Sequence, residues 1–388
     1  MSVTAAQGFL ASGVKAGLKA SGNHDVALVV NQGPIFTAAG VFTSNRFKAA
    51  PVLWSQQVLM DQELHAVVLN SGGANACTGP DGFADTHHTA EYVAAALSSL
   101  GSEIGAGEIA VCSTGLIGER LPMDKIRFGI DVATSELAAD GGNNAALAIM
   151  TTDSVPKKSE VLGAGYVVGG MAKGAGMLAP ALATMLVVIT TDAVVDAEAA
   201  EQALRSATAM SFDRIDSDGC MSTNDTVLLL ASGASGVQPD LQEFTTSLTQ
   251  VCTELAQQLI HDAEGASKDI KITVEKAAST ADALEVARAI SRSNLLKCAI
   301  HGEDPNWGRV LAAAGTTQAA FDPDQVDVSM NGIWICRNGG LGEDRSLVSL
   351  AGRQVDITVV LRAGESEATV WTNDLTADYV HENSAYST

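Results

Sequence analysis

The 388-residue chain is short of basic side chains: 23 Lys and Arg stand against 45 Asp and Glu, a formal net charge of −22. That deficit argues against a surface that holds nucleic acid or an anionic membrane by charge. Aromatic residues make up only 4 %, so the interior must be built mainly from Ala, Val, Leu and Gly. No proline-rich or charged linker and no repeat of fixed period divides the chain. The six cysteines, Cys77, Cys112, Cys220, Cys252, Cys298 and Cys336, never form a CxxC pair, which leaves the zinc-ribbon and thioredoxin readings without support. Scattered singly, they fit a reducing cytosol and buried apolar positions.

The familiar short motifs also fail. NSGGANA (70–76) follows a strand pattern, but no GK[ST] comes after it and no GxGxxG is formed, and GAG at 174–176 fails likewise. There is no GxSxG elbow. His381-Glu382 opens like a zincin helix, yet Ala385 occupies the place of the second histidine. DRIDSDG (213–219) resembles a calcium loop with the wrong residues at its first and twelfth positions, and a polar turn explains it better. The stretch 166–190 is long and apolar enough to span a bilayer, but Lys173, Pro180 and its glycines favour a loop followed by a buried strand. No secretory signal is visible. The N-terminal 23 residues carry Lys15 and Lys19 and no acid, but lack the arginines and the amphipathic face of a transit peptide. A cytoplasmic location is expected.

What is present is an apolar fraction of 46 % over a length that buries a large core. Short runs at 26–30, 39–43, 51–54, 66–69 and 108–112 read as strands. Helical periodicity marks 89–100 and 123–138. The second half alternates strands (185–190, 226–230, 268–274, 355–361, 368–372) with helices (197–210, 241–264, 281–296), the helix at 241–264 stopping before Gly265. Strands and helices mix without steady βαβ alternation, which predicts a layered α+β fold with helices covering sheets.

The most informative segment is KGAGMLAPALATMLVVITT (173–191). Thr184 opens a strand-forming run behind a flexible glycine loop. A threonine there is most simply a β-branched strand residue. It is also placed to attack the carbonyl of Ala183, cleave the chain, and emerge as an N-terminal nucleophile. Its new α-amine, with a pKa of roughly 7.7–8.0, is a competent base at neutral pH. Lys173 is the only charge between Lys158 and Asp192. It reads either as a solvent-facing loop lysine or as a cation for a substrate carboxylate. Ser113-Thr114-Gly115, after a strand, is either a plain turn or a turn that aims its amides and the Thr114 hydroxyl at an oxyanion.

Taken together, KGAGMLAPALATML, GFLASGVKAGLK, NSGGANACTG, STGLIGERLPMD, MTTDSVPK, STNDT, EDPNWGR and the tail HENSAYST resemble the ornithine acetyltransferase family of arginine biosynthesis, in order and over nearly the whole chain. The resemblance implies an α/β/β/α double sandwich similar to N-terminal-nucleophile hydrolases, with its own connectivity. It implies an α chain of residues 1–183 and a β chain of 184–388, intertwined in one catalytic unit and assembled as an α2β2 heterotetramer. It implies that Thr184 accepts acetyl from N-acetylornithine and passes it to glutamate, with Thr114 and Gly115 as oxyanion hole. Substrate contacts would be Thr151 (or its neighbour Thr152), Lys173, Thr184, Glu264, Asn383 and Thr388. No metal or organic cofactor is implied. Acetyl-CoA as a second donor, which would make the enzyme bifunctional, stays open. The runner-up is a self-processing aminopeptidase or amidohydrolase of the same fold.

Overall fold

The computed structural model describes residues 2–101, 104–179 and 185–385. The cleavage pair Ala183-Thr184 and the C-terminal Thr388 lie outside these residues. The chain divides into two compact units, Met1–Asp213 with Cys220–Leu259, and Arg214–Gly219 with Ile260–Ser387.

The first unit holds β1 (Phe9–Val14), β2 (Val26–Asn31), β3 (Thr37–Phe42), α1 (Ala50–Val58), β4 (Ala66–Asn70), α2 (Gly79–Ser98), β5 (Ile109–Ser113), α3 (Met123–Ser135) and α4 (Gly142–Ala148). It continues with β6 (Lys157–Leu162), β7 (Val167–Lys173), β8 (Leu186–Thr191), α5 (Ala197–Met210), β9 (Thr226–Ala231) and, as far as Leu259, α6 (Leu241–His261). One sheet runs β1-β2-β4-β5 and the other β3-β9-β8-β7-β6. Both are mixed: β4–β5 and β8–β9 pair in parallel and the other neighbours antiparallel.

The two sheets share one core, in which Leu28, Val68 and Val111 of the first join Met171, Val188 and Leu228 of the second. Every residue of β2, β4, β5, β8 and β9 is buried, as strands covered on both faces must be. Ile126, Ile130 and Ala133 of α3 and Ala90, Val93 and Leu97 of α2 belong to the same core. On the second sheet, Gly170 leaves room for Leu255 and Val251 of α6, which would stand 3.0 and 3.2 Å from a Cβ there. The layered α+β expectation is thereby met. β8, which follows residue 184, pairs antiparallel with β7, which precedes it, from Val168↔Thr191 to Lys173↔Leu186.

The second unit contains β10 (Asp269–Ala277), α7 (Thr280–Ser291), α8 (Asn294–His301), α9 (Trp307–Ala314), β11 (Asp327–Met330), β12 (Ile333–Arg337), β13 (Gly340–Leu341), β14 (Gln354–Val360), β15 (Ser366–Asn373) and α10 (Ala377–Ala385). Its six strands order as β13-β12-β11-β14-β10-β15. Ile270, Ile272 and Val274 of β10 meet Val286 and Ile290 of α7 in a core of their own.

Four sequence expectations are corrected. Residues 51–54 form α1 rather than a strand; Pro51 sits in its first turn, where its missing N–H costs nothing. The helix expected from 89 begins ten residues earlier, with Pro80 in its first turn. The helix expected over 281–296 is two helices, because the Ser293 side chain accepts from the Leu296 N–H and caps α8. Of the cysteines expected in the core, Cys112, Cys252 and Cys336 are buried, but Cys77, Cys220 and Cys298 are exposed. Cys77 and Cys220 stand in loops, and Cys298 shares the outer side of α8 with Leu295.

Candidate active site

Two loops cross at the ends of β4 and β5. Asn70 Nδ2 donates to Ser113 Oγ at 2.7 Å, and the Thr114 N–H donates to the Asn70 carbonyl at 3.0 Å. Gly115 has φ +131°, and a Cβ there would lie 2.9 Å from both Cα and N of Gly73. The two backbones therefore touch where only glycine fits. Asn224, in the turn before β9, clips them together, its Nδ2 donating to Ala74 O at 2.6 Å and Ser113 O at 2.8 Å. Sequence reading had noticed STNDT as a motif without giving Asn224 a task.

Lys173, the last residue of β7, is 1 % exposed. The solvent-facing reading of this lysine is wrong. Its Nζ donates to Thr151 Oγ1 at 2.6 Å and Thr114 Oγ1 at 3.3 Å, and lies 3.9 Å from Asp153 Oδ2. Of the pair left open, Thr151 is thus the one that meets Lys173. Asp153 organises this corner: it accepts from the Thr151 N–H at 2.9 Å, the Gly174 N–H at 2.7 Å and buried Lys157 Nζ at 2.5 Å. Burial alone would raise the Asp153 pKa. Lys173, Lys157 and the Lys157 and Gly174 hydrogen bonds outweigh it and hold the carboxyl at about 2.

Sequence reasoning missed three further groups. Lys19 Nζ donates to Met150 O at 2.6 Å, next to Thr151; burial first, and Lys173 as a like charge, bring its pKa down to about 8 against the pull of Asp25 and Asp153. Lys157 is completely buried. Asp225 is completely buried too, and accepts the Met185 N–H at 3.1 Å. Nothing in spacing marks them, since each becomes special only through burial beside an opposite charge or an amide.

In the second unit, Glu264 and Asn383 come together: Asn383 Nδ2 donates to Glu264 Oε2 at 2.9 Å. Gly265 (φ +61°) lets the start of α10 press on this turn, where a Cβ would lie 2.2 Å from Tyr379 N. Thr376 Oγ1 ties the two by donating to Gly265 O at 2.7 Å. The tail is a helix over Ala377–Ala385.

At the first-unit corner an ammonium and two hydroxyls converge, with Asp153 as the buried counter-charge. Among the described residues no group of three or more His, Cys, Asp or Glu is placed to hold a metal ion, and no helix is long and apolar enough to cross a membrane.

The family model described as ArgJ matches residues 10–388. The chain belongs to the ArgJ family. Arginine biosynthesis bifunctional protein ArgJ of Streptomyces coelicolor is 65 % identical over 387 residues, covering 100 % of both chains. The protein of that name from Streptomyces avermitilis is 66 % identical over the same length and coverage. A crystal structure of ornithine acetyltransferase from Mycobacterium tuberculosis, complexed with ornithine, is 59 % identical over 48 % of this chain and 96 % of that one, with a TM-score of 0.44. As an ArgJ-family member the chain is an acyltransferase of arginine biosynthesis.

Proposed function

We propose that this enzyme cleaves itself between Ala183 and Thr184 and then transfers acetyl from N-acetylornithine to glutamate through an acetyl-Thr184 ester. The single observation that carries the reading is the buried Lys173 ammonium clasped by Thr151 and Thr114, at the end of the strand that leads to the cleavage segment. The cation suits the α-carboxylate common to both substrates. Thr114 and the Gly115 amide serve as oxyanion hole, and Thr151 holds Lys173 and the substrate. Glu264 receives the δ-ammonium of ornithine, with Asn383 and Thr388 completing the contacts.

The chemistry needs only the chain itself. The Thr184 hydroxyl oxygen bonds to the acetyl carbon while its proton passes to the free α-amine. Collapse of the tetrahedral intermediate breaks the C–N bond, and the departing ornithine amine takes that proton. Glutamate then attacks the ester through its amine, which gives up a proton to the α-amine of Thr184. The ester C–O bond breaks, and the threonine oxygen takes the proton back. The pieces 1–183 and 184–388 assemble as an α2β2 heterotetramer in the cytoplasm. Acetyl-CoA as an additional donor agrees with the word bifunctional in the relatives' names.

The test is the intact mass of the purified protein under denaturing conditions, before and after N-acetylornithine. Two fragments split at 183/184, with one acetyl group added to the larger, are expected; Thr184→Ala should stay full-length and inactive. A cleaved Thr184→Ala protein would sink the mechanism. Acyl transfer to water alone, with peptides hydrolysed and glutamate ignored, would favour the aminopeptidase reading.

A further inference from the structure

The two acetyl donors differ most at the end that does not react. N-acetylornithine is small, whereas the thioester acetyl-CoA trails phosphates and an adenine base. A chain with a net charge of −22 repels such a polyanion, so a binding place for it must be locally free of acids. From Val26 to Met60 the sequence has no Asp or Glu, and Arg46 and Lys48 are the only charges in that span. They flank Phe47, which is 72 % exposed. Arg46 is exposed and Lys48 half-buried. Lys48 Nζ donates to the neutral Gln56 Oε1 at 3.3 Å, and neither cation forms an ion pair among the described residues.

This loop of the first unit is held in place beside the cleavage segment. The Thr43 N–H donates to Asp225 O at 2.9 Å and its hydroxyl to Ser222 O at 2.7 Å. Asn45 Nδ2 donates to Met221 O at 3.1 Å, and its Oδ1 accepts the Phe47 N–H at 2.9 Å. The Ala49 N–H donates to Thr223 O at 2.9 Å and the Ala50 N–H to Asn75 O at 3.1 Å. An ordered loop, pinned at both ends, therefore presents Phe47 to solvent. Asp225 Oδ1 in turn accepts the N–H of Met185, the residue after Thr184. Arg46 lies three residues from Thr43, at most about 11 Å of extended chain, a span that an extended pantetheine arm covers. The neighbouring loops bring no exposed acid: residues 70–79 and 220–224 are uncharged, and Asp225 is completely buried.

We propose that Arg46, Phe47 and Lys48 dock the nucleotide end of an acyl thioester, acetyl-CoA, which brings acetyl to Thr184 as a second donor. The Arg46 fork and the Lys48 ammonium meet its phosphates, and the Phe47 ring is a platform on which adenine stacks. This rests on the acetyl-Thr184 reading and extends it by a site that N-acetylornithine does not touch. In the step it serves, the Thr184 hydroxyl oxygen bonds to the acetyl carbon and its proton passes to the α-amine. The C–S bond breaks, and the departing sulfur takes that proton. The ester left behind is the one that N-acetylornithine also gives.

The test compares the two donors with no acceptor present. Enzyme is mixed with acetyl-CoA or with N-acetylornithine, and acetyl uptake is followed by intact mass. Arg46→Glu combined with Lys48→Glu should raise the acetyl-CoA concentration for half-maximal uptake by about 10-fold or more, with uptake from N-acetylornithine unchanged. Phe47→Ala, which keeps both charges, should raise it by about 5- to 150-fold. It also carries the comparison should the double variant fail to fold. The bisphosphorylated adenosine of CoA, which lacks the thioester, should compete with acetyl-CoA and not with N-acetylornithine. Equal loss with both donors, unchanged uptake from acetyl-CoA in either variant, or a wild type that takes acetyl from N-acetylornithine alone overturns the inference. If the wild type takes up acetyl from neither donor, the acetyl-Thr184 reading is what fails. Calorimetric titration with CoA then decides the loop separately: weaker binding to Phe47→Ala than to wild type supports it, and equal binding or none overturns it.

Discussion

Asp225 Oδ1 accepts the Met185 N–H at 3.1 Å, one residue beyond Thr184 in sequence, and its Oδ2 accepts the Ser222 N–H at 3.1 Å. The carboxyl is completely buried. Burial raises its pKa well above the ordinary value, and the bonds from Met185, Ser222 and Thr43 and the charge of Lys173 only partly oppose that. Burial thus favours the protonated form of the carboxyl that fixes the start of β8.

Asparagine keeps the shape but only one of the two acceptors. Asp225→Asn should therefore fold and cleave, with one of the Met185 and Ser222 bonds lost. Asp225→Ala leaves buried N–H groups without an acceptor and should lose about 1–3 kcal/mol of stability. The sign of the pH effect follows from the raised value. The folded state keeps this proton while the unfolded chain releases it above a pKa of about 3.9. Wild-type stability should consequently fall relative to Asp225→Asn as pH rises from about 4 toward neutrality. Denaturant melts of both proteins across that range check it; parallel curves would mean that Asp225 is ionised in the folded state.

Gly115→Ala tests the crossing of the two loops. The added methyl would meet the Gly73 backbone at 2.9 Å, in a φ region of +131° that side chains rarely adopt. Neither neighbour is a flexible side chain that can swing away. The loops must part, at a cost of roughly 1–3 kcal/mol, and the Gly115 amide must move. Loss of an oxyanion donor typically costs about 10²–10³ in kcat. A variant with wild-type kcat and an unchanged KM would show that the Gly115 amide does not serve the reaction.

The layered α+β fold was legible in the alternation of buried runs such as 226–230, and Lys173 and Thr114 stood out as polar residues in apolar or glycine-rich surroundings. Their meeting with Thr151 was not legible. It depends on β7 and β5 ending side by side across a sheet sandwich, and nothing local encodes that pairing. Asp153 and Lys157, four residues apart, look like a surface i,i+4 pair and are instead the buried counter-charges of the site. Pro51 was misread as part of a strand because VLW is β-prone, although a proline in that place also opens a helix. Ser293 in the run SRSN divides α7 from α8; it carried a cap signal that periodicity alone overrode.

Asp153 gives the opposite pH behaviour to Asp225 from the same buried neighbourhood. Its folded-state pKa of about 2 lies below the unfolded value of about 3.9. Its contribution is therefore complete above about pH 4 and disappears as pH falls toward 2, a linkage effect on the order of 2 kcal/mol. Asp153→Asn removes the anion from between Lys157 and Lys173, whose side chains are 0 % and 1 % exposed. Two buried cations without their shared carboxylate should cost about 3–5 kcal/mol at neutral pH. The gap between wild type and variant should then narrow between about pH 4 and pH 2, where the wild type loses what the variant never had. Chemical denaturation at closely spaced pH values reads this directly. A gap of constant size down to about pH 2.5 would mean that Asp153 is not the carboxylate that pairs with these lysines.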